Sequence, residues 1–192
     1  MEAMADERKD SLTVREVCGR IRGAGTKEEL GERLACEVML YSLSDLQLIG
    51  GKLYREVIAL PSPYREAISP YFTEQIFGAY HTLIAMHRRG EFASRRTPLA
   101  DPGLFSAYCA MVEEGCFCRN GGRPVQRLFY YLVAAFAMFV LDRPGHPVGT
   151  PFPGGFTVED RGGAYNCPIR DKEKDVPYSI CNYCPARQSE LP

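Results

Sequence analysis

Three of the eight cysteines lie near the C-terminus with a spacing typical of metal ligands. Cys181 and Cys184 form a C-x2-C pair, which can present two thiolates to one ion from a single turn. Cys167 lies upstream, with thirteen residues between it and the pair. This segment is poor in aliphatic residues, so a bound ion would supply stabilisation that burial cannot. The spacing predicts that Cys167, Cys181 and Cys184 bind a metal.

A fourth ligand has to come from elsewhere in the chain. Structural zinc is four-coordinate, and a [4Fe–4S] cluster is usually held by four cysteines. Cys118 is the predicted fourth ligand and Cys116 the alternative, because both lie where a helix is predicted to end. His146 is a candidate of a different chemical type. The remaining cysteines fall on predicted helix faces and are expected to be ordinary buried thiols; they are Cys18, Cys36 and Cys109.

The spacing leaves two candidates for the bound group. A β-hairpin followed by C-x2-C suits zinc, which is slightly favoured. Proline follows both Cys167 and Cys184, as in ferredoxin-type sequences, but the compact C-x2-C-x2-C run of those proteins is missing. A [4Fe–4S] cluster is therefore the alternative. A thioredoxin-like role for the C-x2-C pair is disfavoured, because no βαβ pattern surrounds it.

His146 opens a loop rich in proline and glycine that extends to Phe156, with the sequence HPVGTPFPGGF. An ordinary histidine pKa of about 6.5 would let it exchange protons near neutral pH. One hypothesis makes this loop the wall of an enzyme pocket with His146 as acid or base, which predicts a cavity beside the ring. The other makes it a rigid connector, which predicts a packed ring. The connector is the favoured hypothesis.

Other polar residues point to no reaction. His87, Arg88 and Arg89, followed by Arg95 and Arg96, could bind an anion, but cations also interact favourably with a helix C-terminus. A solvated helix end is expected there. His81 and His87 are six residues apart, which does not suit a shared metal, so both are predicted to be non-ligands. The sequence contains no phosphate loop, dinucleotide fingerprint, HExxH motif or GxSxG motif.

Helices are predicted through the first two thirds of the chain, where apolar residues recur every three or four positions. Thr26 and Glu29 are spaced as a capping box at the start of one helix. A glycine pair at residues 50–51 marks a point where a helix could break. Further helices are expected to begin at Pro70, Pro102 and Pro124.

The helix predicted over residues 128–141 is apolar on all sides, so it should lie at the centre of a bundle. After residue 142 the composition changes, and a short hairpin is predicted that pairs residues 156–159 with residues 164–167. The predicted fold is mainly α, with a helical bundle over residues 1–142. Residues 143–192 form a small cysteine-bearing hairpin and irregular unit, integrated with the bundle in one domain.

Length and charge exclude several classes of protein. The 192 residues suit one domain, and hydrophobic residue types make up 45% of them. A net charge of −1 argues against dedicated nucleic-acid binding. The longest apolar run is shorter than the roughly 20 residues of a membrane span, so no membrane association is expected. The charged first ten residues lack a secretory signal, which predicts a cytoplasmic protein with reduced thiols.

The C-terminal third resembles a known archaeal family. The motifs that carry the resemblance are HPVGTPFPGGFTVE, then GAYNCPIRDKEKD, then SICNYCPARQ, which begin at residues 146, 163 and 179. The family is known mainly from methanogens and carries only a domain-of-unknown-function label. The resemblance implies an intracellular archaeal protein, and it brings no activity or catalytic residue with it.

Three hypotheses follow for the function. The first is an intracellular protein with a cysteine-ligated metal centre that is structural or redox-active, with no assignable catalytic activity. The second is an enzyme whose pocket lies between the loop of His146 and the helical bundle. The third is an interaction module of a larger archaeal complex, with a protein partner that the sequence does not identify.

Overall fold

The computed structural model describes residues 2–118 and 123–189. The chain is mainly α, as predicted. Helices occupy the first part: α1 (Glu2–Arg22), α2 (Lys27–Val38), α3 (Leu43–Ile58), α4 (Tyr64–Thr73), α5 (Ala79–Arg88), α6 (Pro102–Gly115) and α7 (Pro124–Ala135). Two wider π-helical segments, Glu74–Gly78 and Phe136–Val140, continue α4 and α7.

The predicted cap at Thr26 and the predicted helix starts at Pro102 and Pro124 are confirmed. The Thr26 hydroxyl accepts a hydrogen bond from the backbone N–H of Glu29 at 3.1 Å. The Glu29 carboxylate in turn accepts the N–H of Gly25 at 2.8 Å, so the second bond of the capping box is displaced by one residue. Asp101 caps α6 by accepting the N–H of Leu104 at 2.8 Å.

The possible break at the glycine pair does not occur, and the helix start predicted at Pro70 was wrong. Helix α3 continues through the glycine pair at residues 50–51, because Ile49, Leu53 and Val57 form one buried stripe that outweighs the low helix propensity of glycine. Pro70 lies inside α4 rather than at a helix start. The helix then passes into the π-helical turn at Glu74–Gly78.

The core lies around α7, which confirms the predicted central helix. Helix α7 contacts α1, α2, α5 and α6. Phe129 and Leu132 are buried along it. Phe136, at the start of the π-helical segment that continues α7, is also buried, and its ring meets that of Phe92 edge-on at 6.2 Å between centroids. Cys18 and Cys109 are buried, as expected. Cys36 is exposed, contrary to the prediction, because it lies on the side of α2 opposite Leu30 and Leu34.

Short strands form the C-terminal part: β1 (Pro151–Phe152), β2 (Phe156–Thr157), β3 (Glu159–Arg161), β4 (Ala164–Cys167) and β5 (Arg187–Gln188). The predicted hairpin exists with a different register. Strand β3 pairs with β4 around a two-residue Gly162-Gly163 turn, whereas Phe156 and Thr157 pair with β1. Two glycines with positive φ favour this tight turn over the four-residue loop that the sequence suggested. Strand β5, which was not predicted, adds in parallel to β4.

Within the described residues, no helix combines the length and apolar character that crossing a membrane requires.

Candidate functional site

The three C-terminal cysteines come from separate segments and are all buried. Cys167 ends β4, Cys181 lies in the 3-10 helix Ile180–Tyr183, and Cys184 follows that helix. Burial raises the pKa of each thiol, to about 11 for Cys181. The charges of Cys184 and Cys167 also raise the pKa of Cys181, and Cys184 acts on Cys167 in the same way. The fold therefore places the three thiols within electrostatic reach of one another.

Backbone N–H groups are directed at two of the sulfurs. The Sγ of Cys184 accepts the N–H of Gly145 at 3.4 Å, and the N–H of Ala186 also lowers its pKa. The N–H groups of Ile169 and Arg170 lower the pKa of Cys167 in the same way. Proline follows each of these two cysteines and has no N–H, so the local donors, Ile169, Arg170 and Ala186, lie just beyond it. Such donors stabilise a thiolate more than a thiol, and this partly offsets the effect of burial.

The predicted fourth ligands lie at the C-terminal end of α6. Arg127 of α7 donates through Nε to the carbonyl of Cys116 at 2.8 Å and through Nη1 to the carbonyl of Cys118. Burial raises the pKa of Cys18 inside the bundle, and the charges of Cys109 and Cys116 raise it further. In residues 2–118 and 123–189, no three His, Cys, Asp or Glu side chains are arranged so that they could hold an ion. The choice of Cys118 or Cys116 stays a prediction.

Two residues beside the cysteines were missed from sequence. Burial is the main cause that raises the pKa of Tyr130 on α7, and the charges of Cys181, Cys184 and Glu173 add to it. The Glu173 carboxylate also raises the pKa of Cys181. Glu173 lies in the turn after β4, where its N–H bonds to the carbonyl of Ile169 at 3.1 Å. Sequence spacing carries no signal for either residue, because their position depends on how this turn folds back towards α7.

His146 shows features of both hypotheses made for it. Its half-buried ring meets Phe152 edge-on at 5.6 Å between centroids, as expected of a packed connector. It also lines a cavity of about 310 Å³, as expected of a pocket residue. Burial lowers the pKa of His146 to about 4, so the ring is neutral at neutral pH. The preceding residue ties the loop in place, since the Gly145 carbonyl accepts a bond from Gln75 Nε2 at 2.8 Å.

The basic stretch at the end of α5 is a solvated, ion-paired helix end. Arg88 and Arg89 are exposed, and Arg89 lies 2.6 Å from Glu91. His87 Nδ1 lies 2.6 Å from a Glu32 carboxylate oxygen, so this ring nitrogen already has a polar partner. His81 is exposed.

Comparison with known proteins gives the lineage of the chain. A UPF0305 protein of Methanothermobacter thermautotrophicus is 49% identical over 61 residues, which cover 32% of this chain and 39% of the relative. A second, from Methanopyrus kandleri, is 43% identical over 84 residues, covering 44% of this chain and 59% of the relative. A third, from Methanocaldococcus jannaschii, is 21% identical over 159 residues, covering 81% of this chain and 92% of the relative.

In the first two alignments the chain thus spans about two fifths and three fifths of the relative's length. No solved structure matches the chain. Residues 26–189, well over half of the chain, match a family described as an uncharacterized protein conserved in archaea. The chain therefore belongs to this archaeal family, DUF2115, whose matching members here come from methanogens.

Proposed function

We propose that residues 143–189 form a structural metal centre in which Cys167, Cys181 and Cys184 bind a zinc ion. The observation that carries the proposal is the make-up of the buried apolar side chains of this segment. Apart from the buried prolines Pro144 and Pro168, half of the described ones are cysteines; the set is Val158, Cys167, Ile180, Cys181, Cys184 and Ala186.

The energetics favour a bound ion. Burying a large aliphatic side chain contributes about 1.5–3 kcal/mol, and this segment buries only Val158 and Ile180 of that kind. A structural zinc ion contributes on the order of 10 kcal/mol to folding, which is more than the burial of these two side chains supplies.

Binding requires two changes in the cysteines. The thiols must lose their protons, which burial opposes and the N–H groups directed at Cys167 and Cys184 favour. Their side chains must also turn towards a common point, since no three potential ligands among the described residues are arranged to hold an ion. Zinc binding is therefore accompanied by proton release and by a local tightening of the cysteine loops.

The fourth ligand has two sources in this proposal. Glu173 is one, because the charge of its carboxylate raises the pKa of Cys181 and zinc accepts carboxylate ligands. Cys118, or Cys116 in its place, is the sequence-based candidate. Comparing the zinc affinity of Glu173→Gln with that of Cys118→Ser and Cys116→Ser identifies the ligand, because only loss of a true ligand weakens zinc binding strongly.

Backbone hydrogen exchange of the anaerobically purified protein tests the proposal. Adding a strong zinc chelator should speed exchange in residues 164–188 while leaving α2, α6 and α7 protected. Cys181→Ser should reproduce the chelator's effect without chelator. The matched control is Cys36→Ser, since Cys36 is exposed on α2 and is not a proposed ligand. Unchanged exchange in Cys181→Ser, with or without chelator, would overturn the proposal.

Identifying the bound metal also distinguishes a structural role from a redox role. A colourless protein with zinc supports the structural centre, whereas a brown protein with a visible absorption band would indicate the [4Fe–4S] alternative and a redox role. The reducing cytosol of a methanogen is the setting we propose, because it keeps the thiols free to bind metal.

A further inference from the structure

The helical bundle contains a cavity of about 310 Å³ that the metal proposal does not use. It lies between α3, the turn from α4 into the π-helical segment, α7 and the start of the loop that begins at His146. At roughly 30 Å³ for each water-sized group, it has room for about ten non-hydrogen atoms. This is the lower end of the size range of small-molecule sites.

The lining of the cavity combines apolar and polar side chains. The apolar ones come from α3, α4 and the π-helical segment that follows α4, and they are Ile49, Leu53, Phe72 and Ile76. Gln126, Arg127 and Tyr130 supply polar groups from α7. A hydrocarbon segment and a polar group can therefore be accommodated at once. A ligand with both parts fits this cavity better than one that is wholly apolar or wholly polar.

The charged side chains of the lining leave one positive charge in excess. Lys52 and Glu56, one turn apart on α3, form an ion pair at 3.7 Å. Arg127 adds a second cation, and no second carboxylate lines the cavity among the described residues. The ring of His146 is neutral at pH 7. An anionic group on the ligand would balance the charge of the lining.

Arg127 is held in a fixed position. Its Nε and Nη1 bond to the carbonyls of Cys116 and Cys118, which anchors the guanidinium between the end of α6 and α7. Within the described part of the chain, its Nη2 has no hydrogen-bond partner. A guanidinium that is already oriented loses little side-chain entropy when it bonds to an anion.

We propose that this cavity binds a small amphipathic anion, whose carboxylate or phosphate group contacts Arg127 while a short hydrocarbon segment lies against Leu53 and Ile76. The head group would be recognised by charge and by hydrogen bonds from Nη2. The hydrocarbon segment would be recognised by burial. The site is formed by the bundle and the first residue of the loop, and none of Cys167, Cys181 and Cys184 lines it.

Calorimetric titration with four six-carbon probes tests the proposal. Hexanoate and hexyl phosphate carry the two head groups, and the stronger binder of the two identifies the preferred one. Hexanol and hexylamine share the hydrocarbon part but are uncharged and cationic. The preferred anion should bind at least about tenfold more tightly than hexanol, because a hydrogen bond to a charged group is stronger than one between neutral groups.

Two variants locate the binding on the protein. Leu53→Trp fills the cavity and should abolish binding of the preferred anion. Lys52→Met removes one positive charge from the lining and should weaken it about three- to tenfold by lost charge attraction. The matched control, Arg55→Met, removes a positive charge from the exposed side of the same helix and should leave binding unchanged.

Either of two results overturns the proposal. One is that neither anion binds more tightly than hexanol. The other is that Lys52→Met and Arg55→Met have equal effects on binding of the preferred anion. Circular dichroism of Leu53→Trp shows whether that variant is folded, and if it is not, the comparison of the two α3 charge variants decides. Binding that persists unchanged in folded Leu53→Trp would also place the anion elsewhere and refute the site.

Discussion

Replacing Gly149 with alanine should destabilise the protein by about 3 kcal/mol, for two separable reasons. Gly149 lies in the loop that follows His146 and has a φ of +87°. Its N–H donates to the Val158 carbonyl at 2.7 Å, which fixes this backbone conformation. A β-carbon at this position would also lie 2.9 Å from the Tyr71 hydroxyl oxygen and 3.2 Å from a ring carbon of Tyr71.

The two contributions can be separated with a second glycine of the same loop. Gly155 has a similar φ of +80°, but a β-carbon there would meet nothing within 4 Å. Gly155→Ala should therefore cost only the backbone strain, about 1–2 kcal/mol. Gly149→Ala should cost about 1–2 kcal/mol more, because overpacking against Tyr71 is added. The smaller entropy of the unfolded chain after Gly→Ala affects both variants alike.

Urea unfolding followed by circular dichroism measures both variants against the original protein. The added substitution Tyr71→Phe should restore part of the stability of Gly149→Ala, because it removes the nearest atom and leaves the ring. Equal destabilisation by Gly149→Ala and Gly155→Ala would refute the packing of this loop on α4. Purely additive effects of Tyr71→Phe and Gly149→Ala on the free energy of unfolding would refute this packing as well.

Three further predictions concern stability. Asp101→Ala should cost about 1 kcal/mol in urea unfolding, because it removes the cap on the Leu104 N–H; a loss below the error of the measurement would contradict the cap. His146 is neutral when folded, so the unfolded state alone gains a proton as the pH falls from 6.5 towards 4. The protein should lose up to about 3 kcal/mol over this range relative to His146→Gln; parallel pH profiles of the two proteins would contradict the lowered pKa of His146. Gly31→Ala should destabilise the protein, since its β-carbon would lie 2.5 Å from the buried Phe92 ring. Gly51→Ala on α3 would meet only the end of the Arg55 side chain at 3.7 Å and should stabilise the protein by up to about 1 kcal/mol. Equal effects of the two variants on stability would contradict this packing.

The helical part of the fold was predictable because its signals are local. The cap at Thr26, the Asp101-Pro102 start and the apolar character of residues 128–141 each act within one helix. Where tertiary packing competes with a local signal, the local signal does not decide the structure. The buried stripe of α3 overrides its glycine pair, and Cys36 lies on the exposed side of a helix whose other side is fully buried.

The candidate site was only partly predictable for the same reason. The spacing of Cys167, Cys181 and Cys184 identified a group that the fold does bring within electrostatic reach. Glu173 and Tyr130 join this group only through the path of the chain after β4, which no spacing encodes. The bonds from Arg127 to the carbonyls of Cys116 and Cys118 likewise depend on how α6 meets α7.

Native mass spectrometry of the anaerobically purified protein is the most direct test of the metal centre. One zinc ion should be bound per chain, with loss of the thiol protons of Cys167, Cys181 and Cys184 from the measured mass. The Cys181→Ser/Cys184→Ser double variant should lose the ion, and Cys36→Ser should keep it. A chain that carries no metal, or a double variant that keeps a full complement of zinc, would contradict the proposed zinc centre.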